Sequence, residues 1–177
     1  MLTVGKEELD GIARVIGSGE LFRYHEGSLC ELFEARFAEF LGSRHVALCS
    51  SGTAALTAAL AGLGIGPGDE VIVPSHTYMA TAIAVLAVGA IPVIVDIDES
   101  IMLDPDAFEE AVGPRTRAVI PVHMWGLLCD MDRILDIARR HRLLVVEDAC
   151  QCVGGFYGQH AAGTMGEIVA GEGETVG

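Results

Sequence analysis

From position 46 onward, short apolar runs alternate with stretches of helical periodicity. The apolar runs are residues 46–49, 71–74, 92–95, 118–121 and 143–146, and the helical stretches are residues 53–63, 79–88, 105–112 and 131–141. Runs this short and this continuously apolar read as strands buried on both faces, and a helix after each is the pattern of a covered parallel sheet. The fold class expected is α/β, a mostly parallel sheet with helices on both faces. Punctuation supports it: Gly66-Pro67-Gly68-Asp69 reads as a turn, and Asp104 reads as an N-cap with Pro105 at the first helical position. Residues 1–45 read as an arm and one helix. Ser28-Leu29-Cys30-Glu31 fits a capping box, and Leu29, Leu32, Phe33, Phe37, Phe40 and Leu41 keep helical spacing until Gly42. The glycine-bearing stretch from Gly17 to Tyr24 reads as a surface connection or a ligand or dimer contact.

With 177 residues, 51% of them hydrophobic, and a mean hydropathy of +0.44, the chain can bury the core of one domain and is not disordered. Twenty-five acidic against 11 basic residues give a formal charge of −14, and the densest basic run, Arg139-Arg140-His141-Arg142, is explained by a helix end. Nucleic acid and anionic membranes are therefore not expected partners. The five cysteines Cys30, Cys49, Cys129, Cys150 and Cys152 are odd in number and sit mostly in apolar segments, which reads as reduced thiols in a cytoplasmic protein. Cys150-Gln151-Cys152 lacks a zinc spacing, and no metal is expected. Lys6, Glu7, Glu8 and Asp10 rule out the apolar centre of a signal peptide, and Gly89 and Pro92 break the most apolar stretch before it could span a membrane.

In open parallel sheets, ligands bind beyond the carboxyl ends of the strands. Four clusters fall there: Ser50 to Thr53, Ser75 to Tyr78, His123 to Trp125, and Asp148 to Gln151. A small Gly/Ser/Thr turn opening a helix offers free N–H groups and a positive dipole end, which suits a phosphate. A carboxylate ending a buried strand suits a buried cation. A heteroaromatic ring with a phosphate on one side and a protonatable nitrogen on the other needs both, and pyridoxal 5'-phosphate (PLP) is the common example. Taken singly, each position has a plainer reading. Gly52 and Thr53 can simply start a helix, Tyr78 can be core, Asp148 an N-cap or a surface pair with Glu147, Gln151 loop polarity, and His123 a packed strand-end histidine. Their joint occurrence carries the weight.

In order and spacing, Ser50-Ser51-Gly52-Thr53-Ala54-Ala55-Leu56, Gly66 to Pro74, His76-Thr77-Tyr78-Met79-Ala80-Thr81, Pro121-Val122-His123 and Glu147-Asp148-Ala149-Cys150-Gln151 resemble the DegT/DnrJ/StrS family of PLP-dependent aminotransferases. The resemblance implies a fold type I PLP-transferase large domain, present in part over residues 46–177. It implies transfer of an amino group from an amino acid donor to a keto sugar on a nucleotide, or to a related cyclitol precursor. It further implies PLP or pyridoxamine 5'-phosphate (PMP) as cofactor and a homodimer. Gly52 and Thr53 would hold the phosphate, Tyr78 would stack on the ring, Asp148 would pair with the ring nitrogen as the catalytic acidic partner, and Gln151 would reach the ring hydroxyl.

One departure stands out. The family's covalent anchor is a lysine beyond the acidic strand, whereas the only lysine here is Lys6. Gly163-Thr164-Met165-Gly166-Glu167 resembles the approach to the lysine-bearing strand, Ile168 to Gly173 resembles the stretch just past that lysine, and the two abut. The gap reads as a genuine internal deletion, as residues omitted from the sequence, or as a partial or engineered chain; if the deletion is real, the expectation is that this polypeptide forms no Schiff base in the pocket and has little or no transaminase turnover. The alternatives are a non-catalytic, truncated PLP-binding remnant, or a lysine-free relative using PMP for sugar dehydration with histidine at the lysine position. A nicotinamide-binding domain is disfavoured because no G-x-G-x-x-G follows the first apolar run.

Overall fold

The computed structural model describes residues 5–23, 25–166 and 168–169. Tyr24 of the expected loop, Glu167 and the stretch from 170 to 177 lie outside the described residues. The elements run α1 (Lys6–Ser18), α2 (Leu29–Leu41), α3 (Gly52–Gly62), β1 (Glu70–Pro74), α4 (Ala80–Ala87), β2 (Ile91–Val95), α5 (Pro105–Glu110), β3 (Thr116–Val119), α6 (Met131–His141), β4 (Leu144–Glu147), β5 (Phe156–Tyr157), β6 (His160–Ala161) and β7 (Ile168–Val169).

Five strands form one parallel sheet in the order β2-β1-β3-β4-β7. From β1 the chain crosses one way to β2, then back over β1 to β3 and on to β4. Right-handed crossovers in opposite directions place α4 on one face and α5 and α6 on the other. The packing agrees, with α3 against α4 and α5 against α6. Val71, Ile72, Val73, Ala118, Val119, Val145 and Val146 are buried in the middle strands, which is why these strands read as continuous apolar runs. Helix α6 buries Met131, Ile134, Ile137 and Ala138 on one stripe, each large side chain contributing roughly 1.5–3 kcal/mol of apolar burial. Its polar face ties α5 down, Arg133 pairing with Asp106 and Arg140 with Glu109.

The local caps behave as the sequence dictates. Ser28 Oγ accepts from Glu31 N–H at 3.2 Å, and the Glu31 carboxylate returns to Gly27 N–H at 2.7 Å, one residue before the cap itself. Asp104 caps α5 with Pro105 in its first turn.

Two expectations are corrected. Residues 46–49 form no strand; Leu48 N–H donates to Glu34 Oε1 at 2.7 Å, and Glu34 is itself held by Arg23 at 2.6 Å. An apolar run becomes a strand only where a neighbouring strand pairs with it, and among the described residues none of the sheet's strands pairs with 46–49. The amino-terminal region holds two helices, not one. In α1, Leu9, Ile12 and Ile16 share a face, Glu7 and Glu8 favour the helix start, and Glu8 Oε2 accepts from Gly5 N–H at 2.7 Å. The antiparallel hairpin of β5 and β6 was also not expected; Gly158, at φ +62°, opens its two-residue turn.

Candidate active site

The crossovers reverse direction between β1 and β3, so the loops after these strands part and leave a crevice at their carboxyl ends. A cleft of about 420 Å³ lies there, and Gly52, Thr53, Tyr78, Asp148 and Gln151 all line it. The structure thus brings together the five residues that the resemblance assigns to the cofactor, while His123 to Trp125, the other cluster expected at this edge, do not line the cleft. Thr77, Val122 and Cys150 also stand in its wall.

The start of α3 forms part of the wall. Ser51 Oγ accepts from Ala54 N–H at 3.1 Å, and Ser51 O takes Ala55 N–H at 3.0 Å. Gly52 and Thr53 N–H find no acceptor among the described residues, so two amides at the positive end of an 11-residue helix face the cleft. Glycine at 52 has a steric reason: an added Cβ would lie 3.2 Å from Cys150 Sγ, tighter than ordinary contact. The α3 start therefore sits directly on the loop after β4.

Asp148, in the wall of the same cleft, is only 6% exposed. Its main chain extends the β3–β4 pairing, with Asp148 N–H donating to Pro121 O at 2.9 Å and His123 N–H donating to Asp148 O at 3.0 Å. Its carboxylate accepts from Thr81 Oγ1 at 3.0 Å and Cys150 N–H at 3.3 Å. Burial first, and then the Asp148 charge, push the Cys150 thiol up to about 12, so it is a neutral wall group at physiological pH.

Gln151 is oriented by its neighbours. Trp125 N–H donates to Gln151 Oε1 at 3.4 Å and Gly126 N–H to Gln151 O at 3.0 Å, with both donors in the left-handed region at φ +53° and +83°. With Oε1 engaged, the amide NH2 is the group left to donate. Tyr78 is 76% exposed at the mouth, which removes the reading of this ring as core.

His123 and Glu147 point away from the cleft and are fully buried. His123 Nδ1 accepts from Cys129 N–H at 3.3 Å, so its proton sits on Nε2 and is donated to Glu147 Oε2 at 3.1 Å. Glu147 also accepts from the N–H groups of Gly163 (2.9 Å), Met165 (2.6 Å) and Gly166. It is no surface partner of Asp148, but a buried clamp on the segment leading to β7. Sequence reasoning missed this clamp and the Thr81 contact; the alternation of strand side chains, sending 147 and 148 to opposite sides, was the available signal. Lys6 opens α1 and does not line the cleft. Among the described residues no cluster of three or more His, Cys, Asp or Glu could hold a metal ion, and no helix is long and apolar enough to cross a membrane.

A helix start and a buried carboxylate facing one cleft at the switch point of a parallel sheet define a large-domain site of the PLP-transferase type. The chain belongs to the DegT/DnrJ/EryC1/StrS aminotransferase family, whose profile matches residues 3–170. It is similar to GDP-perosamine synthase of Caulobacter vibrioides, 51% identical over 136 residues, which cover 76% of this chain and 37% of that protein. The dTDP-3-amino-3,4,6-trideoxy-alpha-D-glucose transaminase of Streptomyces venezuelae is 49% identical over 160 residues, covering 90% of this chain and 41% of the relative. Among solved structures, NtdA from Bacillus subtilis with bound cofactor PMP superposes with a TM-score of 0.79 at 41% identity, covering 86% of this chain and 35% of NtdA. The chain thus spans about two fifths of the length of the relatives it matches.

Proposed function

We propose that this chain carries the cofactor cleft of a sugar aminotransferase that moves an amino group from an amino acid donor to a keto sugar on a nucleotide or a related cyclitol. The observation that carries the reading is one cleft lined both by the α3 start, with its two free amides, and by the buried Asp148 carboxylate. The residues fit PLP or PMP. Gly52 and Thr53 N–H would bind the phosphate, the Tyr78 ring would cover the pyridine face, and the Gln151 amide would donate to the ring hydroxyl. Residues 46–177 then act as the partial cofactor-binding domain, with residues 1–45 as its arm and helices. The protein works in the cytoplasm as a homodimer.

When bound, the cofactor supplies an electron sink for the carbon that loses its proton. The chain's part is to bind and orient. Asp148 would set its carboxylate against the ring nitrogen and favour the protonated ring, and Thr81 Oγ1 and Cys150 N–H hold that carboxylate in place. The helix start neutralises the phosphate, and the neutral Cys150 thiol closes the wall without competing for the cofactor's carbonyl.

In this 177-residue polypeptide the sole lysine stands outside the cleft, which favours a second statement: it binds the cofactor non-covalently and turns over little or not at all. Both statements are tested by titrating PMP into the chain by calorimetry. Saturable binding is expected, weakened on the order of a hundredfold in Asp148→Asn, the scale of a lost charge-assisted hydrogen bond at a desolvated site. Equal affinity in the variant overturns the cofactor reading. Incubation with PLP and borohydride is expected to leave Lys6 unlabelled; stoichiometric labelling there overturns the non-covalent one.

A further inference from the structure

Asp148 is held by one hydroxyl backed by a second, a contact that the sequence reading did not assign to either residue. Thr81, in the first turn of α4, is fully buried, and its Oγ1 donates to Asp148 Oδ2 at 3.0 Å. Behind it, Thr77 Oγ1 lies 2.9 Å from Thr81 Oγ1. The donor and acceptor inventory fixes the direction of these bonds. An ionised carboxylate accepts only, so the Thr81 proton goes to Asp148, and Thr81 Oγ1 must then accept the Thr77 proton. Thr77 has one other acceptor in reach, Tyr78 O at 3.4 Å, and the shorter contact to Thr81 is the better one. The result is a directed line, Thr77 to Thr81 to Asp148, from the cleft wall to the buried carboxylate.

We propose that Thr81 is a positioning residue that fixes the Asp148 carboxylate for the ring nitrogen of the cofactor, with Thr77 orienting the Thr81 hydroxyl. The inference rests on the cofactor reading of the cleft. A carboxylate at the end of a strand can rotate about χ1 and χ2; a buried donor from a different element on one oxygen removes that freedom before the ligand arrives. Cys150 N–H on the other oxygen is only two residues away and 3.3 Å distant, so the cross-element anchor is Thr81 alone among the described residues. Pre-ordering lowers the cost of binding, and a hydrogen bond donated to a charged group in a dry site is the strong kind. Because Thr81 sits on α4 and Asp148 follows β4, the same bond fixes the distance between the Tyr78 side of the cleft and the Asp148 carboxylate.

The test is a double-mutant cycle read by calorimetric titration of PMP into the 177-residue chain, with thermal unfolding measured for each variant. Thr81→Val removes the hydroxyl at constant shape and is expected to weaken PMP on the order of tenfold. Thr81→Ser keeps the donor and is expected to restore binding to within about threefold, as rescue by a retained hydrogen bond requires. In an Asp148→Asn background, Thr81→Val is expected to cost almost nothing further, since the charge it positions has gone. A merely structural threonine would cost the same in both backgrounds, and that outcome, or wild-type affinity in Thr81→Val, overturns the role of Thr81 while leaving the cofactor reading standing. Wild-type affinity in Asp148→Asn, or no PMP binding by the unsubstituted chain, overturns the cofactor reading and the inference with it. Should Thr81→Val lose its unfolding transition, Thr81→Ala read in the same cycle decides between the same outcomes.

Discussion

The buried Glu147 clamp makes the sharpest test of what holds the far side of the sheet. Its carboxylate meets four donors, His123 Nε2 and the N–H groups of Gly163, Met165 and Gly166. Glu147→Gln keeps the shape and removes one acceptor oxygen. The surviving oxygen can serve Met165 and Gly166, but the new NH2 then faces Gly163 N–H and the His123 Nε2 proton. His123 cannot adapt by moving its proton, because Nδ1 already accepts from Cys129 N–H. Two fully buried donors are therefore left facing a donor, at about 1–3 kcal/mol each, so that roughly 3 kcal/mol of stability should be lost. Glu147→Ala frees all four donors and opens a cavity. Water can reach the half-buried Met165 and Gly166 amides, which limits the added cost, and about 4 kcal/mol is expected in total. Against a typical stability of about 5–15 kcal/mol these are large losses. Urea unfolding followed by circular dichroism reads them directly: with a slope of about 2 kcal/mol per molar, Glu147→Gln should lower the midpoint by about 1.5 M at unchanged slope. A midpoint within about 0.25 M of the wild-type chain, equivalent to about 0.5 kcal/mol on the same slope, would show that Glu147 acts by shape alone and refute the hydrogen-bond reasoning.

Two further perturbations probe the sheet's surroundings. Gly52→Ala should weaken packing of the α3 start by about 1 kcal/mol, because its Cβ meets Cys150 Sγ at 3.2 Å, and Cys150→Ala in the same chain should recover most of that loss; unequal urea midpoints in the single and double variants are the readout, and no recovery means the clash lies elsewhere. On the surface, Arg140, then His141, hold the Glu109 carboxyl down at about 2, well below its ordinary value. A depressed folded-state value stabilises above the ordinary carboxylate range and is lost as pH falls toward 2. The stability gap between the wild-type chain and Glu109→Gln should therefore close between about pH 5 and pH 2, and shrink in high salt as an exposed pair must; a gap independent of both refutes the pairing.

Each part of the structure was legible in the sequence only where its signal is local. Apolar Val/Ile runs at residues 71–74, 92–95, 118–121 and 143–146 mark β1 to β4 to within two residues, although β2, at the sheet edge with Ile94 63% exposed, is not buried on both faces as its run suggests. Residues 46–49 carry the same local signal and form no strand, because pairing is a property of two segments and the Glu34 carboxylate takes the Leu48 N–H that a neighbour would need. Helix α1 hid behind Gly11 and a short apolar stripe, and helix propensity alone is a weak prior for so polar a segment. At the cleft, the residues that would touch a ligand were legible as types, since phosphate and cation binding restrict chemistry to a glycine turn and an acid. The residues that aim them were not. Thr81 reaches Asp148 across 67 positions and Glu147 reaches Gly166 across 19, contacts that only the closed sheet creates. A hydroxyl in an Ala-Thr-Ala helix turn and an acid before an acid look ordinary until the fold brings the start of α4 to the end of β4, and that is why positioning, more than ligation, has to be learned from the fold.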